Sequence, residues 1–277
     1  MLIRPSGRST DFISPSFGHG CLYNCTYCYM KRHKPTGLSI AENTEAILQA
    51  IDNHVMQQEW PKPPNQCDPI YWTYDIGCNE DFALHAKYHD WKQIFKFFKN
   101  HPRAKASFAT KHVQPLFRDF NPNKKVRIRA SLLSIPLWEE LEPETSTPMD
   151  RIYYLKDLFE SGYETHVNFS PVVVYENGLH DYKEIFNALN ELYADQKPEV
   201  KAEVIFLTHN EDKHNYNLQN NLPGEYLLWN PKMQETKISQ YGGKNLRYKR
   251  KYKGQMIQEF LKTMYQEIPW CKIRYAF

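Results

Sequence analysis

The segment Gly18-His19-Gly20-Cys21-Leu22-Tyr23-Asn24-Cys25-Thr26-Tyr27-Cys28-Tyr29-Met30 sets three cysteines in eight residues, spaced C-x3-C-x2-C. Three thiolates on one short loop can ligate three irons of a 4Fe-4S cluster. The fourth iron then has no protein ligand and can bind substrate, as open zinc sites do. The competing reading is a zinc site completed by His19 or by a distant cysteine. Zinc sites ordinarily pair two separated C-x2-C units, and the sequence holds no second one. A non-enzymatic metal-binding module is the reading from a different functional class.

Outward from this loop the pattern alternates between strand and helix. Thr10 to Ser14 reads as a short strand just before it. Ile40, Ile47, Leu48, Ile51, Val55 and Met56 repeat at helical spacing, with Ser39 as the expected N-cap. Residues 70–76 read as a strand, and Trp91, Ile94, Phe95 and Phe98 mark a helix. A strand at 104–110, a short helix at 112–120 and an alternating strand from Val126 to Leu132 follow. Ile152, Leu155 and Leu158 predict a helix ending near Gly162. A strand at 167–174 interrupted by Pro171, a helix through Ile185, Leu189 and Leu192, and a strand at 202–207 complete six β-then-α units. A last helix at 255–265 leads to a β-like tail at 272–277. Ordered βα repetition argues for a parallel sheet with right-handed crossovers, either open and doubly wound or a partly closed TIM-like barrel. The expected division is a barrel over 1–230 and a basic appendage over 231–277.

The chain has 277 residues, 41% hydrophobic and 14% aromatic, which excludes a disordered protein. No apolar run approaches the roughly 20 residues of a membrane span. The first residues show no signal peptide, and the three remaining cysteines (Cys67, Cys78, Cys271) need no disulfide framework in a chain this large. A cytoplasmic, reducing location is expected. Net charge is only +3, but residues 232–253 alone carry +7, leaving −4 elsewhere. There Tyr241, Lys244, Arg247, Lys249, Arg250 and Lys251 interleave aromatic and basic groups, a pattern suited to phosphates and unstacked bases. They are the candidate nucleic-acid contacts.

The triplet, with Tyr27 just before its last cysteine, resembles the signature of the radical SAM superfamily. The resemblance implies a partial (β/α)6 TIM-like barrel and a 4Fe-4S cluster on Cys21, Cys25 and Cys28. It also implies S-adenosyl-L-methionine on the fourth iron, and its cleavage to a 5′-deoxyadenosyl radical by an electron donor such as flavodoxin or ferredoxin.

Motifs beyond the loop resemble one branch, the spore photoproduct lyase family. They are Cys78-Asn79-Glu80-Asp81, Thr110-Lys111, Arg129-Ala130-Ser131 and Glu142-Pro143-Glu144-Thr145-Ser146-Thr147-Pro148. Tyr241-Gly242-Gly243-Lys244 and Lys272-Ile273-Arg274-Tyr275 complete the series. The family pattern has glycine where Glu144 stands and glutamate where Arg274 stands. The resemblance implies a DNA-repair lyase that reverts a methylene-bridged thymine dimer, the spore photoproduct. By the same resemblance Cys78 returns a hydrogen atom to the product radical and Tyr27 and Tyr29 relay the radical. Tyr29, Glu80, Lys111 and Ser131 are then candidate cofactor contacts, Lys111 with the carboxylate and Glu80 with the ammonium. DNA containing a pyrimidine photoproduct is the expected partner. A nucleotide, RNA or peptide substrate for an enzyme of the same lineage is the alternative.

Overall fold

The computed structural model describes residues 2–34, 36–193, 199–238 and 242–277. Eight strands form one sheet in the order Arg4–Pro5, Phe12–Ile13, Trp72–Asp75, Ala104–Thr110, Val126–Ser131, Glu164–Val172, Lys201–Phe206 and Lys272–Ala276. The first pair is antiparallel and every later pairing is parallel. Six consecutive parallel strands, Phe12–Ile13 through Lys201–Phe206, make the expected partial barrel. The C-terminal strand adds a seventh beside Lys201–Phe206.

Strand periodicity explains the two sides of the sheet. In Val126–Ser131, Val126 and Ile128 join an apolar cluster with Ile94, Phe95 and Leu158 of the covering helices, and Ala130 joins a second with Ile152 and Leu155. The alternate residues Arg127 and Arg129 are nearly fully buried in a different company. Arg129 bonds Asp75 (2.8 Å) and Glu203 (3.1 Å), carboxylates from two other strands. Arg127 bonds Asp68 (3.0 Å) and Glu164 (2.6 Å), and Lys105 reaches the same two acids. The concave side of the sheet is therefore filled by paired charges, which buried ions require. Burial works against the Glu203 charge, but Arg129 and Arg274 hold its carboxyl below the usual range.

Several boundaries depart from the sequence expectation for local reasons. The first long helix is Thr44–Met56, capped by Asn43, whose side chain accepts from Ala46 N. Residues before it, Leu38–Ile40, are instead a strand paired with Gly18–Gly20. Ser39 is thus in a hairpin and caps nothing. The helix expected at 112–120 shrinks to a 3₁₀ turn at Pro115–Phe117, because Pro115 can only open a helix. The final helix is longer, Arg250–Glu267. A helix at Glu211–Gln219 was not expected from the sequence.

Residues after 230 are woven into the rest. Gln234–Ile238 and Lys244–Tyr248 form the basic hairpin, and Lys244–Tyr248 also pairs with Thr208–Asn210. Phe260 and Met264 of the last helix pack into the core with Phe169, Tyr182 and Phe186. Among the described residues, no helix is long and apolar enough to cross a membrane.

Candidate active site

The cysteine loop leaves the sheet after Phe12–Ile13 and is tied down on several sides. Gly20 has φ +106°, and a Cβ there would lie 2.6 Å from the Gly37 carbonyl, so only glycine fits. Gly20 N donates to the Asn79 carbonyl (3.0 Å) and Lys31 Nζ to the Cys21 carbonyl (2.8 Å). Thr26 N donates to the Leu141 carbonyl (2.9 Å), while the Thr26 carbonyl accepts from Asn217 Nδ2 (2.9 Å). Cys21 and Cys25 are buried and Cys28 is partly exposed. Burial, with Asp81 next, pushes the Cys21 thiol up to about 12. Burial and then Glu142 hold the Cys25 thiol well above its ordinary value.

These three soft donors suit iron–sulfur or zinc ligation. Among the described residues, the three candidate metal-ligating side chains whose donor atoms all lie within 4.8 Å of one another are His209, His214 and Glu225. Three thiolates supplied by one loop match the three-cysteine ligation of a 4Fe-4S cluster that leaves one iron open. Lys111 and Lys213 bring positive charge toward them. A bound cation would invert the local balance and stabilise the thiolates. The loop therefore fits an iron–sulfur cluster.

Cys78 follows the Trp72–Asp75 strand, at the C-terminal end of the sheet where such folds place their chemistry. Burial, with Asp75 next, keeps its thiol above the ordinary value. It therefore carries its hydrogen at neutral pH. Tyr29 comes from the cysteine loop and donates its hydroxyl to the Cys78 carbonyl (2.6 Å). Burial, with the Cys78 thiol next, raises the Tyr29 hydroxyl. Tyr27 points elsewhere: its hydroxyl bonds the Glu142 carboxylate. Of the two relay candidates, the structure joins only Tyr29 to Cys78.

The segment carrying Cys78 is bound to the next strand end through Asp81. One Asp81 oxygen accepts from Thr110 Oγ1 (2.6 Å), the other from Lys111 N (2.8 Å), and its side chain caps the helix Phe82–His85. Glu80 is buried, and its Oε2 receives His85 Nδ1 (2.9 Å) and His89 Nε2 (2.8 Å). With His85 donating from Nδ1, its Nε2 accepts the Leu22 N–H of the cysteine loop (3.3 Å). Glu80 thus supports the loop through His85. Its second oxygen, Oε1, is buried without a hydrogen-bond partner among the described residues and lies against Gly18.

Lys111 sits 4.0 Å from Glu142 and 5.6 Å from the Tyr27 ring centroid. Burial opposes its charge, but Glu142 and the Cys25 thiol raise it overall. Ser131 is buried, and its carbonyl accepts from Arg151 Nη1 (2.6 Å). Arg151 also bonds Glu142 (2.7 Å), so the Glu142–Pro148 motif gathers Tyr27, Lys111 and Ser131 around one buried carboxylate. Sequence reading assigned Glu142 no role. Nor did it single out Asn168, which is paired in register with Ser131 and has a buried Oδ1 without a partner among the described residues. An asparagine inside the apolar run Val167–Val174 was the available signal.

The basic stretch divides. Lys244 is paired with Glu211 (2.5 Å) and Arg247 with Glu235 (3.0 Å). Lys249, Arg250 and Lys251 are exposed at the start of the 18-residue helix Arg250–Glu267, which has no acidic residue in its first turn. Tyr241 lies outside the described residues.

A parallel half-barrel with a three-cysteine loop after its first full strand is the architecture of the radical SAM enzymes. The comparisons narrow this. A family model described as spore photoproduct lyase matches residues 3–277, and the chain belongs to that family. A spore photoproduct lyase of Clostridium acetobutylicum is 24% identical over 191 residues, 67% of this chain and 53% of that protein. The chain thus matches about half the length of this curated relative. A solved spore photoproduct lyase complexed with dinucleoside spore photoproduct superposes with TM-score 0.87 at 18% identity, covering 100% of this chain and 79% of that one. A mutant of that enzyme with bound AdoMet and dinucleoside spore photoproduct gives the same values. The more distant anSMEcpe with bound AdoMet gives TM-score 0.54 at 11% identity, covering 95% and 60%.

Proposed function

We propose that this protein is a DNA-repair lyase that reverts the spore photoproduct, working in the cytoplasm with a 4Fe-4S cluster on Cys21, Cys25 and Cys28. The observation that carries the reading is the protonated Cys78 thiol at the barrel mouth with the Tyr29 hydroxyl against it. When bound, the cluster and S-adenosyl-L-methionine supply a 5′-deoxyadenosyl radical that takes one hydrogen atom from the substrate. Electrons come from a small redox protein such as flavodoxin or ferredoxin.

The bridging C–C bond of the substrate radical then breaks, and the chain's own groups return a hydrogen atom. Cys78 S–H gives a hydrogen atom to the carbon radical of the product, forming a C–H bond and leaving a thiyl radical. Tyr29 O–H gives its hydrogen atom to that sulfur, which restores the thiol and leaves the unpaired electron on Tyr29. Lys111 offers an ammonium for the cofactor carboxylate, and the unpartnered Glu80 Oε1 an acceptor for its ammonium, as charge-assisted bonds. Ser131 and Asn168 line the same strand ends. Tyr27 serves through Glu142, fixing the loop.

The DNA surface we assign is the start of the helix Arg250–Glu267. Cations at a helix N-terminus oppose the helix dipole, so Lys249, Arg250 and Lys251 there cost stability unless an anion neutralises them. Backbone phosphates meet that need. Lys244 and Arg247, already ion-paired, and Tyr241 supply the rest of the contact.

The test is anaerobic incubation of the reconstituted protein with a synthetic dinucleoside spore photoproduct, a reductant and S-adenosyl-L-methionine. Release of the two unbridged thymidine residues is expected. Cofactor cleavage without loss of the lesion would remove DNA repair and leave a radical enzyme with another substrate.

A further inference from the structure

Lys213 lies in the helix Glu211–Gln219 and is 1% exposed. Its Nζ is buried and has no hydrogen-bond partner among the described residues, with the Tyr216 ring centroid 4.7 Å away. A buried ammonium without an anion is among the most unfavourable arrangements in a protein. Glu225 is a carboxylate whose charge acts on it, but its oxygens are filled by His209 (3.0 and 3.2 Å), His214 (2.5 Å) and Asn217. Those same bonds, with an ammonium close by, argue against a metal ion at the His209, His214 and Glu225 trio.

The helix face that carries Lys213 is turned toward the cysteine loop. Asn217, four residues on and therefore on the same face, is fully buried and donates to the Thr26 carbonyl between Cys25 and Cys28 (2.9 Å). The same helix packs against Met30–His33, which directly follows the loop. Burial lowers the Lys213 ammonium, and the Cys28 thiol is the largest influence holding it up. We propose that Lys213 is the cationic partner of the iron–sulfur group held by Cys21, Cys25 and Cys28, and that it makes this group easier to reduce.

This role rests on the cluster assignment made above. A unit positive charge at the cluster edge stabilises the reduced form, which carries one more electron, and at an effective dielectric of about 20 the effect is roughly tenfold or more in the reduction equilibrium. Lys213 acts on the cluster and touches no reacting substrate atom, so it is a positioning residue.

The experiment is a redox titration of the anaerobically reconstituted full chain, followed by electron paramagnetic resonance, with iron content measured in parallel. Lys213→Met should retain iron and lower the equilibrium constant for one-electron reduction about tenfold, a midpoint about 59 mV more negative. Lys213→Arg, which keeps the charge, should restore the wild-type midpoint. An unchanged midpoint in Lys213→Met overturns the proposal and leaves the family reading intact. A drop that Lys213→Arg does not reverse assigns the effect to packing and also overturns it. If Lys213→Met takes up no iron, loading by Lys213→Arg at the wild-type midpoint supports the charge role, and failure of both variants refutes it. Failure of the wild type itself to assemble a cluster sinks both this proposal and the one before it.

Discussion

Replacing Glu142 by alanine should destabilise the protein strongly, because its carboxylate is the counter-ion of a buried arginine. Glu142 is 0% and Arg151 2% exposed, and they meet at 2.7 Å. Without the carboxylate Arg151 keeps only neutral partners: the Ser131 carbonyl (2.6 Å), the Ser146 carbonyl (2.9 Å) and Thr145 Oγ1 (2.6 Å). Breaking a buried pair by removing one member costs about 3–5 kcal/mol. That is a large share of a typical total stability of about 5–15 kcal/mol. In a chain of this size it corresponds to a fall in Tm of roughly 6–10 °C, at about 2 °C per kcal/mol. The assay is thermal unfolding followed by circular dichroism. Adding Arg151→Met to Glu142→Ala should recover part of the loss, because the orphaned charge is then gone. Tyr27 also loses its acceptor, so iron loading should weaken along with Tm. A Tm within about 2 °C of wild type for Glu142→Ala would refute the reasoning.

Cys78→Ala should keep the cluster and cofactor cleavage but yield misquenched products; a wild-type product distribution would place the hydrogen donor elsewhere. A raised pKa means that Cys78 keeps its proton to higher pH, so its alkylation by iodoacetamide at pH 8, read by mass spectrometry, should be slower than that of an exposed thiol. Glu144 has φ +70°; Glu144→Gly should raise stability by about 0.5–1 kcal/mol, and a loss on chemical denaturation would count against strain there. Burial opposes the Glu164 charge, but Arg127 and then His166 hold it well below the carboxylate range. Its contribution is thus present above about pH 4.5 and lost as pH falls, and Arg127→Met should flatten the acid limb of a urea-midpoint profile. Neutralising Lys249, Arg250 and Lys251 should reduce the slope of log K against log salt for DNA by up to about 0.9 per lost phosphate contact. The ion-paired Lys244 and Arg247 should matter less, and an equal effect would contradict that ranking.

The barrel was legible because its strands read as short β-branched or alternating runs and most covering helices as clear stripes. What the periodicity hid is mostly polar. The helix Glu211–Gln219 has no apolar face; its start is marked only by Asn210, which caps it through Asp212 N and Lys213 N. Yet it buries Lys213 and Asn217, the two residues turned to the cysteine loop. The motif order placed Cys78, Lys111 and Ser131 at strand ends, but spacing carries no direction. Nothing in Tyr27-Cys28-Tyr29 tells which hydroxyl meets Cys78 and which meets Glu142. The glycine-to-Glu144 exchange is now intelligible as a left-handed backbone position. The Arg274 exchange places a guanidinium on Glu203 (3.2 Å), inside the paired charges of the barrel.

The half-barrel's open side is bridged by side chains from opposite extremes of the sequence. Ser9 Oγ meets Tyr275 Oη at 2.6 Å and Glu203 at 2.9 Å, and Arg274 Nη1 donates to the Ser9 carbonyl at 3.0 Å, a separation of 265 residues. The Arg8 guanidinium lies 4.0 Å from the Phe277 ring centroid. On a ribosome adding about 5–20 residues per second, residue 9 is added roughly 13–53 s before residue 274. For that interval the nascent sheet has an unsealed seam, while the cysteine loop and Cys78 have already been made. The latch between residues 8–9 and 274–277 can therefore close only after the last strand has been made.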